Sequence, residues 1–242
     1  MHSSSTDLEV FLASTETEIK ESQKLRGDIF GADHGRVQGR DRDEYDKYCD
    51  HLIVRDRKKD LIVGTYRLLP SFKAKEIGFH AEKIFDISNI KKLKGNILEL
   101  GRSCVHPDYR SSLVINYLWR GIGEYIEKNS IKFLFGCPRL DTSDIKEISR
   151  IFLFLKENFY SSPNYRVYPL PACQIPIMED AGTDSSVKIL RELPPLVKGY
   201  LKTGAVVCGW PALNKEFGST VLFMLLDFTS VNPSYKRRFS QD

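Results

Sequence analysis

Long apolar runs are missing from the 242 residues: the longest, Val221 to Leu226, falls far short of the ~18 residues a membrane-spanning helix needs. The amino-terminal Met1-His2-Ser3-Ser4-Ser5-Thr6-Asp7 lacks the cationic start and apolar core of a secretory signal, so a cytoplasmic chain is expected. Cysteine is sparse and odd in number, five in all and widely spread, which reads as reduced thiols. Charge of one sign barely dominates, with 36 Lys and Arg against 32 Asp and Glu, and a net +4 does not mark a nucleic-acid binder. No Gly-x-Ser-x-Gly elbow, Walker loop or zinc-type Cys/His spacing occurs. His51, His80 and His106 therefore have no nucleophile motif to serve, and Cys104, Cys137 and Cys208 read as small buried hydrophobes. Repeats and low-complexity segments are also lacking.

What is present suits a globular protein: 41% hydrophobic and 28% charged residues, with 16 Gly and 11 Pro. The length predicts one enlarged domain, residues 8–239, after a flexible stretch at 1–7. Local basic clusters at Arg55 to Lys59, Lys91 to Lys94 and Lys236 to Arg238 suit either an anionic partner or solvated loops.

A helix is predicted from Thr15, capped by Ser/Thr with a following Glu, toward Phe30. Gly31 to Asp43 reads as loop. Leu52 to Val54 and Leu61 to Leu69 form a hairpin across a charged turn. Ile97 to Val105 is a strand whose broken alternation at Gly101 hints at a bulge. Val114, Leu118, Ile122 and Ile126 then recur at helical spacing. Lys132 to Cys137 is a buried strand, and Ser143 to Phe159 a helix capped by Ser143 or Asp144. The strand, helix and strand make a βαβ unit with a right-handed crossover. Ser161 to Thr183, with four prolines, reads as extended loop with short edge strands. Val187 to Thr203 is predicted helical, and Val221 to Phe228 closes the sheet. This is a mixed α/β (α+β) pattern: a central mixed sheet wrapped by helices.

The densest polar cluster in an apolar setting runs from Leu98 to Arg110. Glu99 and Arg102, three apart in a central strand, cost several kcal/mol to bury unless they pair or face a cleft. They are site candidates, with a framework salt bridge as the alternative. Tyr109-Arg110-Ser111-Ser112 leads into a helix whose free N–H groups and dipole favour an anion, unless it is an ordinary capped start. Asp43 to His51 holds four carboxylates in nine residues. The EF-hand glycine and terminal Glu are missing, so a metal is not expected, and recognition of a cationic amine is the more natural use.

Taken together, Tyr45-Asp46-x-x-Cys49-Asp50-His51-Leu52, Val63-Gly64-Thr65-Tyr66-Arg67-Leu68-Leu69, Leu98-Glu99-Leu100-Gly101-Arg102-Ser103-Cys104-Val105-His106-Pro107-Asp108-Tyr109-Arg110, Leu118-Trp119-Arg120-Gly121-Ile122, Leu134-Phe135-Gly136-Cys137, Leu193-Pro194-Pro195-Leu196-x-x-Gly199-Tyr200-Leu201 and Phe217-Gly218 resemble one known family. It comprises the bacterial N-acyltransferases of the acetyltransferase-like (GNAT) superfamily that make lyso-ornithine lipid and related acyl amino acids. The resemblance covers most of residues 8–239 and implies a three-layer GNAT-like fold with a C-terminal extension. It also implies transfer of a (3-hydroxy)fatty acyl group from acyl carrier protein to the α-amine of an amino acid, L-ornithine first. Other acceptors, glycine or an aromatic amino acid, and an acyl-homoserine-lactone synthase are the alternatives.

The family is similar in turn to acyl-homoserine-lactone synthases, whose recurrent polar positions have counterparts here in Arg26, Phe30, Asp43, Asp46, Arg67, Glu99 and Arg102. The resemblance implies that Glu99 is the general base. Its reference pKa of ~4.3 is low for that task, so burial would have to raise it. Arg102 and Arg67 would bind the amino-acid carboxylate or tune Glu99, and Asp46 would hold a cationic side chain. Main-chain N–H groups near Gly101 would stabilise the oxyanion in a gap between the strands ending near Val105 and Cys137. Val105, Arg110, Ser111, Ser112 and Leu113 would take the phosphate. The glycine-rich pyrophosphate loop of ordinary acetyltransferases is replaced by Arg110-Ser111-Ser112-Leu113-Val114-Ile115, without glycine. That favours a donor with one phosphate, 4′-phosphopantetheine on acyl carrier protein, over acyl-CoA. No permanently bound cofactor is implied. The partners are then carrier protein and amino acid, with peripheral contact with the cytoplasmic face of the inner membrane at most. Phe11, Phe152, Phe154 and Phe159 would supply that face if they were not core.

Overall fold

The computed structural model describes residues 7–34, 39–110, 112–182 and 185–229. Residues 1–6 of the expected flexible start, Ser111 and the basic Lys236 to Arg238 lie outside the described residues. The described chain falls into two compact units, one within 7–77 and 100–131, the other within 78–99 and 132–229.

In the first unit, β1 (Leu8–Leu12), β2 (Asp50–Asp56) and β3 (Leu61–Pro70) pair antiparallel, and the C-terminal half of β4 (Asn96–Val105) lies beside β3. The hairpin matches the period-2 pattern of its two apolar runs. A register shift between Val54 and Arg55 lets the charged turn close. β1 has no counterpart among the expected elements. Helix α1 (Glu16–His34) starts in a capping box: Glu18 N–H donates to Thr15 Oγ1 at 3.2 Å, and Thr15 N–H to Glu18 Oε2 at 3.0 Å. The helix runs four residues past the expected Phe30.

Alternation along the strands supplies one face for each helix. Leu25 and Ile29 of α1 cluster with Ile53 of β2, Ile62 of β3 and Cys104 of β4, with Phe11 and Phe30 packed against them. Helix α2 (Ser112–Lys128) covers the other face, where Trp119 lies 6.4 Å from the Tyr66 ring. A Cβ on Gly64 would stand 2.7 Å from Val114 Cγ1, so the missing side chain lets the first turn of α2 settle on β3.

In the second unit, the N-terminal half of β4 is followed in the sheet by β5 (Ile131–Gly136), β7 (Met224–Asp227) and β6 (Val206–Val207), with β7 antiparallel to both neighbours. The closing strand is shorter than Val221 to Phe228, because Ser219–Val221 pairs instead with Ala212–Asn214. Phe135 and Phe223 stack with ring centroids 4.8 Å apart, flanked edge-on by Phe79 and Phe85. Helix α3 (Ile145–Phe159) is capped by Asp144, which accepts Glu147 N–H at 2.8 Å. Its Phe152 and Phe154 are buried, which removes them from any docking face. The single helix expected over Val187 to Thr203 is two, α4 (Ser186–Glu192) and α5 (Pro195–Lys202). Pro194 and Pro195 extend the residue before each and lack N–H groups, so the helix must restart with Pro195 in its first turn.

The proline-rich stretch has a role in holding this unit together. Ser161 and Val167 N–H groups donate to Val207 and Cys208 carbonyls at 2.9 Å each, and Leu170 N–H to Ile84 at 2.9 Å. It is a strap stitched to the sheet and to the segment before β4. Among the described residues, no helix is long and apolar enough to cross a membrane.

Candidate active site

Five of the seven polar or aromatic positions singled out from the sequence meet in one ion network in the first unit, and a sixth residue joins them. Arg26, on the buried face of α1, is fully inaccessible. Its Nε donates to Asp41 Oδ2 at 2.8 Å, and its Nη2 to the Asp41 carbonyl at 2.6 Å and to Asp46 Oδ1 at 2.9 Å. Arg67 on β3 donates from Nη1 to Asp43 Oδ1 at 2.7 Å and lies 3.6 Å from Asp46 Oδ2. Arg102 on β4 donates from Nη2 to Asp43 Oδ2 at 3.0 Å, and its Nε stands 3.1 Å from Asp41 Oδ2. Three guanidinium groups thus face three carboxylates, and the net charge is 3 − 3 = 0. Neutralising every buried charge is what makes the cluster affordable in a low-dielectric interior.

Local structure fixes the carboxylates. Asp46 Oδ2 accepts Asp43 N–H, and Asp43 Oδ1 accepts Tyr45 N–H, both at 2.8 Å. Asp41 is anchored by its own N–H to Gln23 O at 3.1 Å. The loop comes this close because position 27 is glycine: a Cβ there would lie 1.5 Å from the Gly39 carbonyl oxygen. Arg102 adopts φ +50, left-handed for a non-glycine residue, so the irregularity in β4 sits one residue beyond the expected Gly101. Beneath the network, His51 Nε2 lies 3.1 Å from the Asp46 carbonyl and therefore carries the proton. Burial, with Arg26 and Arg67 nearby, lowers its pKa, and His51 is neutral at pH 7.

Burial acts to raise the Asp43 pKa, but Arg67 and Arg102 outweigh it and hold the carboxyl well below the usual range. A carboxyl depressed in the folded state contributes stability that is complete above its unfolded pKa of ~3.9 and lost as pH falls through the folded value. Melting curves between pH 6 and pH 2 should fall steeply for the wild type and less steeply for Asp43→Asn. Parallel curves would remove Asp43 from the acid-labile part of the fold.

Glu99 lies in the second unit and is buried. Its Oε2 accepts His80 N–H at 2.7 Å and its Oε1 accepts Ala81 N–H at 2.9 Å. These amides open a short 3-10 turn, His80–Lys83, which is held by Phe79 N–H donating to Glu82 Oε1 at 2.8 Å and by Lys91 pairing with Glu82 at 2.8 Å. The Phe79 ring packs edge-on against Phe135, 5.1 Å away.

The expected phosphate positions lie where β4 gives way to α2. His106 N–H donates to the Val63 carbonyl at 2.8 Å, fixing the chain just after Val105. The Tyr109 hydroxyl donates to Asp56 Oδ2 at 2.6 Å, and Lys59 lies 5.1 Å above the Tyr109 ring. Arg110 and Leu113 are exposed, and Ser112 opens the helix. The basic cluster beside them is largely matched within the fold: Lys58 pairs with Asp7 at 2.5 Å, and Arg55 lies within 4 Å of Glu18, Glu21 and Asp60.

Phe30, on α1 itself, packs against the apolar cluster of Leu25, Ile29, Ile53, Ile62 and Cys104. Burial pushes the Cys208 thiol up to about 12, and burial with Glu99 nearby raises that of Cys137 well above its ordinary value, so neither is a ready nucleophile. Sequence reasoning missed Asp41. Its only signal is the alternation Arg40-Asp41-Arg42-Asp43, which in a loop has no fixed periodicity to say which side chain turns inward.

Comparison with known proteins agrees with this architecture. A family model described as an acetyltransferase (GNAT) domain matches residues 10–120. An L-ornithine N(alpha)-acyltransferase from Brucella abortus is 33% identical over 245 residues, covering 94% of this chain and 87% of that protein. One of the same name from Agrobacterium fabrum is 30% identical over 94% of this chain and 83% of its own length. Among solved structures, an N-acyl amino acid synthase from uncultured soil microbes superposes with a TM-score of 0.52 at 7% identity, covering 92% of both chains. The AHL synthase LasI does so with 0.53 at 11% identity and 97% of both. At these identities the two structures speak for the shared fold. The chain is an acyltransferase of GNAT type and belongs to the family of the L-ornithine N(alpha)-acyltransferases.

Proposed function

We propose that this enzyme transfers a 3-hydroxyacyl group from the phosphopantetheine thioester of acyl carrier protein to the α-amine of L-ornithine. The observation that carries the acceptor is the neutrality of the Arg26, Arg67, Arg102 and Asp41, Asp43, Asp46 network. Once its α-amine is deprotonated, ornithine brings one carboxylate and one side-chain ammonium, so a neutral site receives a neutral ligand. Glycine or an aromatic amino acid would leave one anionic charge unmatched. Arg67 and Arg102 offer the carboxylate a bidentate type of partner. We assign the ammonium to Asp43 in place of Asp46, the position expected from the sequence, because Asp43 is the more exposed of the two. The relatives named for ornithine acylation support the same acceptor.

In this reading Glu99 takes a proton from the α-ammonium, directly or through one water. The freed amine attacks the thioester carbonyl carbon, and the negative charge moves to the carbonyl oxygen. Main-chain N–H groups around Gly101 and Arg102 stabilise that oxyanion. The C–S bond breaks as the nitrogen gives up the second proton it must lose to become an amide, and the phosphopantetheine sulfur takes up one proton and departs as the thiol, so the two transfers balance. The phosphate of the donor rests at Val105, Arg110 and Leu113 and on the first N–H groups of α2, with Ser111 and Ser112 between them. The absence of glycine from Arg110 to Ile115 supports one phosphate over the pyrophosphate of coenzyme A. Because the product is an amphiphile, we place the enzyme in the cytoplasm with peripheral contact with the inner membrane.

The test is direct. Purified protein is given 3-hydroxyacyl carrier protein or 3-hydroxyacyl-CoA with all amino acids, and new amides are read by mass spectrometry. Carrier-dependent acyl-ornithine is expected. Equal turnover of the CoA ester would overturn the donor, a different amide the acceptor, and a lactone in the organic extract would move the chain to the autoinducer synthases.

A further inference from the structure

Asp41 stands apart from the other acids of the network because a single oxygen, Oδ2, serves two guanidinium groups on different elements. It accepts Arg26 Nε–H at 2.8 Å and lies 3.1 Å from Arg102 Nε. Its carbonyl takes a further N–H of Arg26 at 2.6 Å. Arg102 holds an unfavourable left-handed conformation, φ +50, while bridging Asp41 and Asp43. Asp41 therefore does two things at once: it stands as a second anionic neighbour of Arg102 beside Asp43, and it supplies the third negative charge that brings the network to zero. Without it, three guanidinium groups would face two carboxylates, a surplus of one positive charge in a site shielded from water.

We propose that Asp41 is a positioning residue that sets which net charge the acyl acceptor must carry, a proposal that rests on the reading of the acceptor as a basic amino acid. Asp41 acts through Arg102 and Arg26. With Asp41 ionised, the site favours an acceptor whose carboxylate is balanced by a side-chain ammonium. With the charge removed, the surplus positive charge is better matched by an acceptor that lacks the ammonium.

Ornithine and norvaline share a three-carbon side chain and differ at its end, an ammonium against a hydrogen, so their kcat/KM ratio isolates the charge term. The wild type is expected to prefer ornithine strongly. Asp41→Asn should lower the ornithine-to-norvaline ratio by about tenfold or more, as removal of a unit charge at a few ångströms in a partly buried site requires. Asp41→Ser, which also removes the charge and leaves room for water, should do the same and serves as the second neutral variant. Asp41→Glu keeps the charge and should keep the ratio within about twofold, even if both rates drop through altered geometry. A ratio unchanged in the neutral variants would make Asp41 merely structural and overturn the proposal. So would a Glu variant that shifts the ratio as far as Asn does. A wild type with no preference for ornithine would instead overturn the basic-acceptor reading itself, and the two failures are told apart by the wild-type ratio alone.

Discussion

Glu99→Gln should lower kcat by about 10²- to 10⁴-fold, the range that a positioned general base contributes. The substitution keeps shape and removes the proton acceptor, so the loss should fall on kcat more than on acceptor KM. The structure adds a second effect. Both Glu99 oxygens accept main-chain N–H groups, from His80 at 2.7 Å and Ala81 at 2.9 Å. A glutamine amide has one oxygen, and its NH2 group must face the other N–H, donor against donor. Leaving a buried donor without its acceptor costs about 1–3 kcal/mol. The variant should therefore fold and bind acceptor while melting a few degrees lower, at about 2–4 °C per kcal/mol for a chain of this size. Turnover within threefold of wild type would dismiss the base. A variant that loses activity only in proportion to its unfolded fraction would instead make Glu99 a clasp for the His80 turn. Measuring kcat and the melting curve on the same preparation separates these outcomes.

Much of the fold was legible where the sequence repeats at a fixed period. The hairpin, α2 and α3 follow from alternation or from three- and four-residue spacing, and the capping signals at Thr15 and Asp144 placed helix starts within a residue or two. β1 was not legible, because Leu8 to Leu12 alternates weakly and becomes a strand through its pairing with β2, forty residues on. The division at Leu193 to Pro195 was open to reading, since two adjacent prolines stop a helix, but the apolar spacing across them looks continuous. At the site, Glu99 and Arg102 stood out because charges inside an apolar strand demand an explanation. Their partners did not stand out. The amides that hold Glu99 come from a turn 18 and 19 residues upstream, and backbone donors leave no trace in side-chain chemistry. Asp41 was hidden for a related reason. Loop residues between α1 and β2 carry no period, and only the close approach at Gly27 turns that carboxylate onto Arg26 and Arg102.

Arg26→Met should be the most destabilising single change in the first unit. Methionine matches the arginine stem out to the position of Nε and can pack on α1, so what is lost is the guanidinium with its charge and donors. Arg26 is fully buried and supplies the hydrogen bond to Asp46 Oδ1 at 2.9 Å, and Asp46 itself is almost inaccessible. Without Arg26, Asp46 keeps only the more distant guanidinium of Arg67, 3.6 Å away, and the network carries a surplus negative charge; breaking a buried pair in this way costs about 3–5 kcal/mol, or on the order of 10 °C in melting temperature. A double-variant comparison isolates the pair. Adding Asp46→Asn removes the stranded charge, so the double variant should be more stable at pH 7 than the sum of the two single losses, by about 1–3 kcal/mol of coupling. Strict additivity would mean that Arg26 and Asp46 do not act as a pair and that packing of the arginine stem is what α1 contributes.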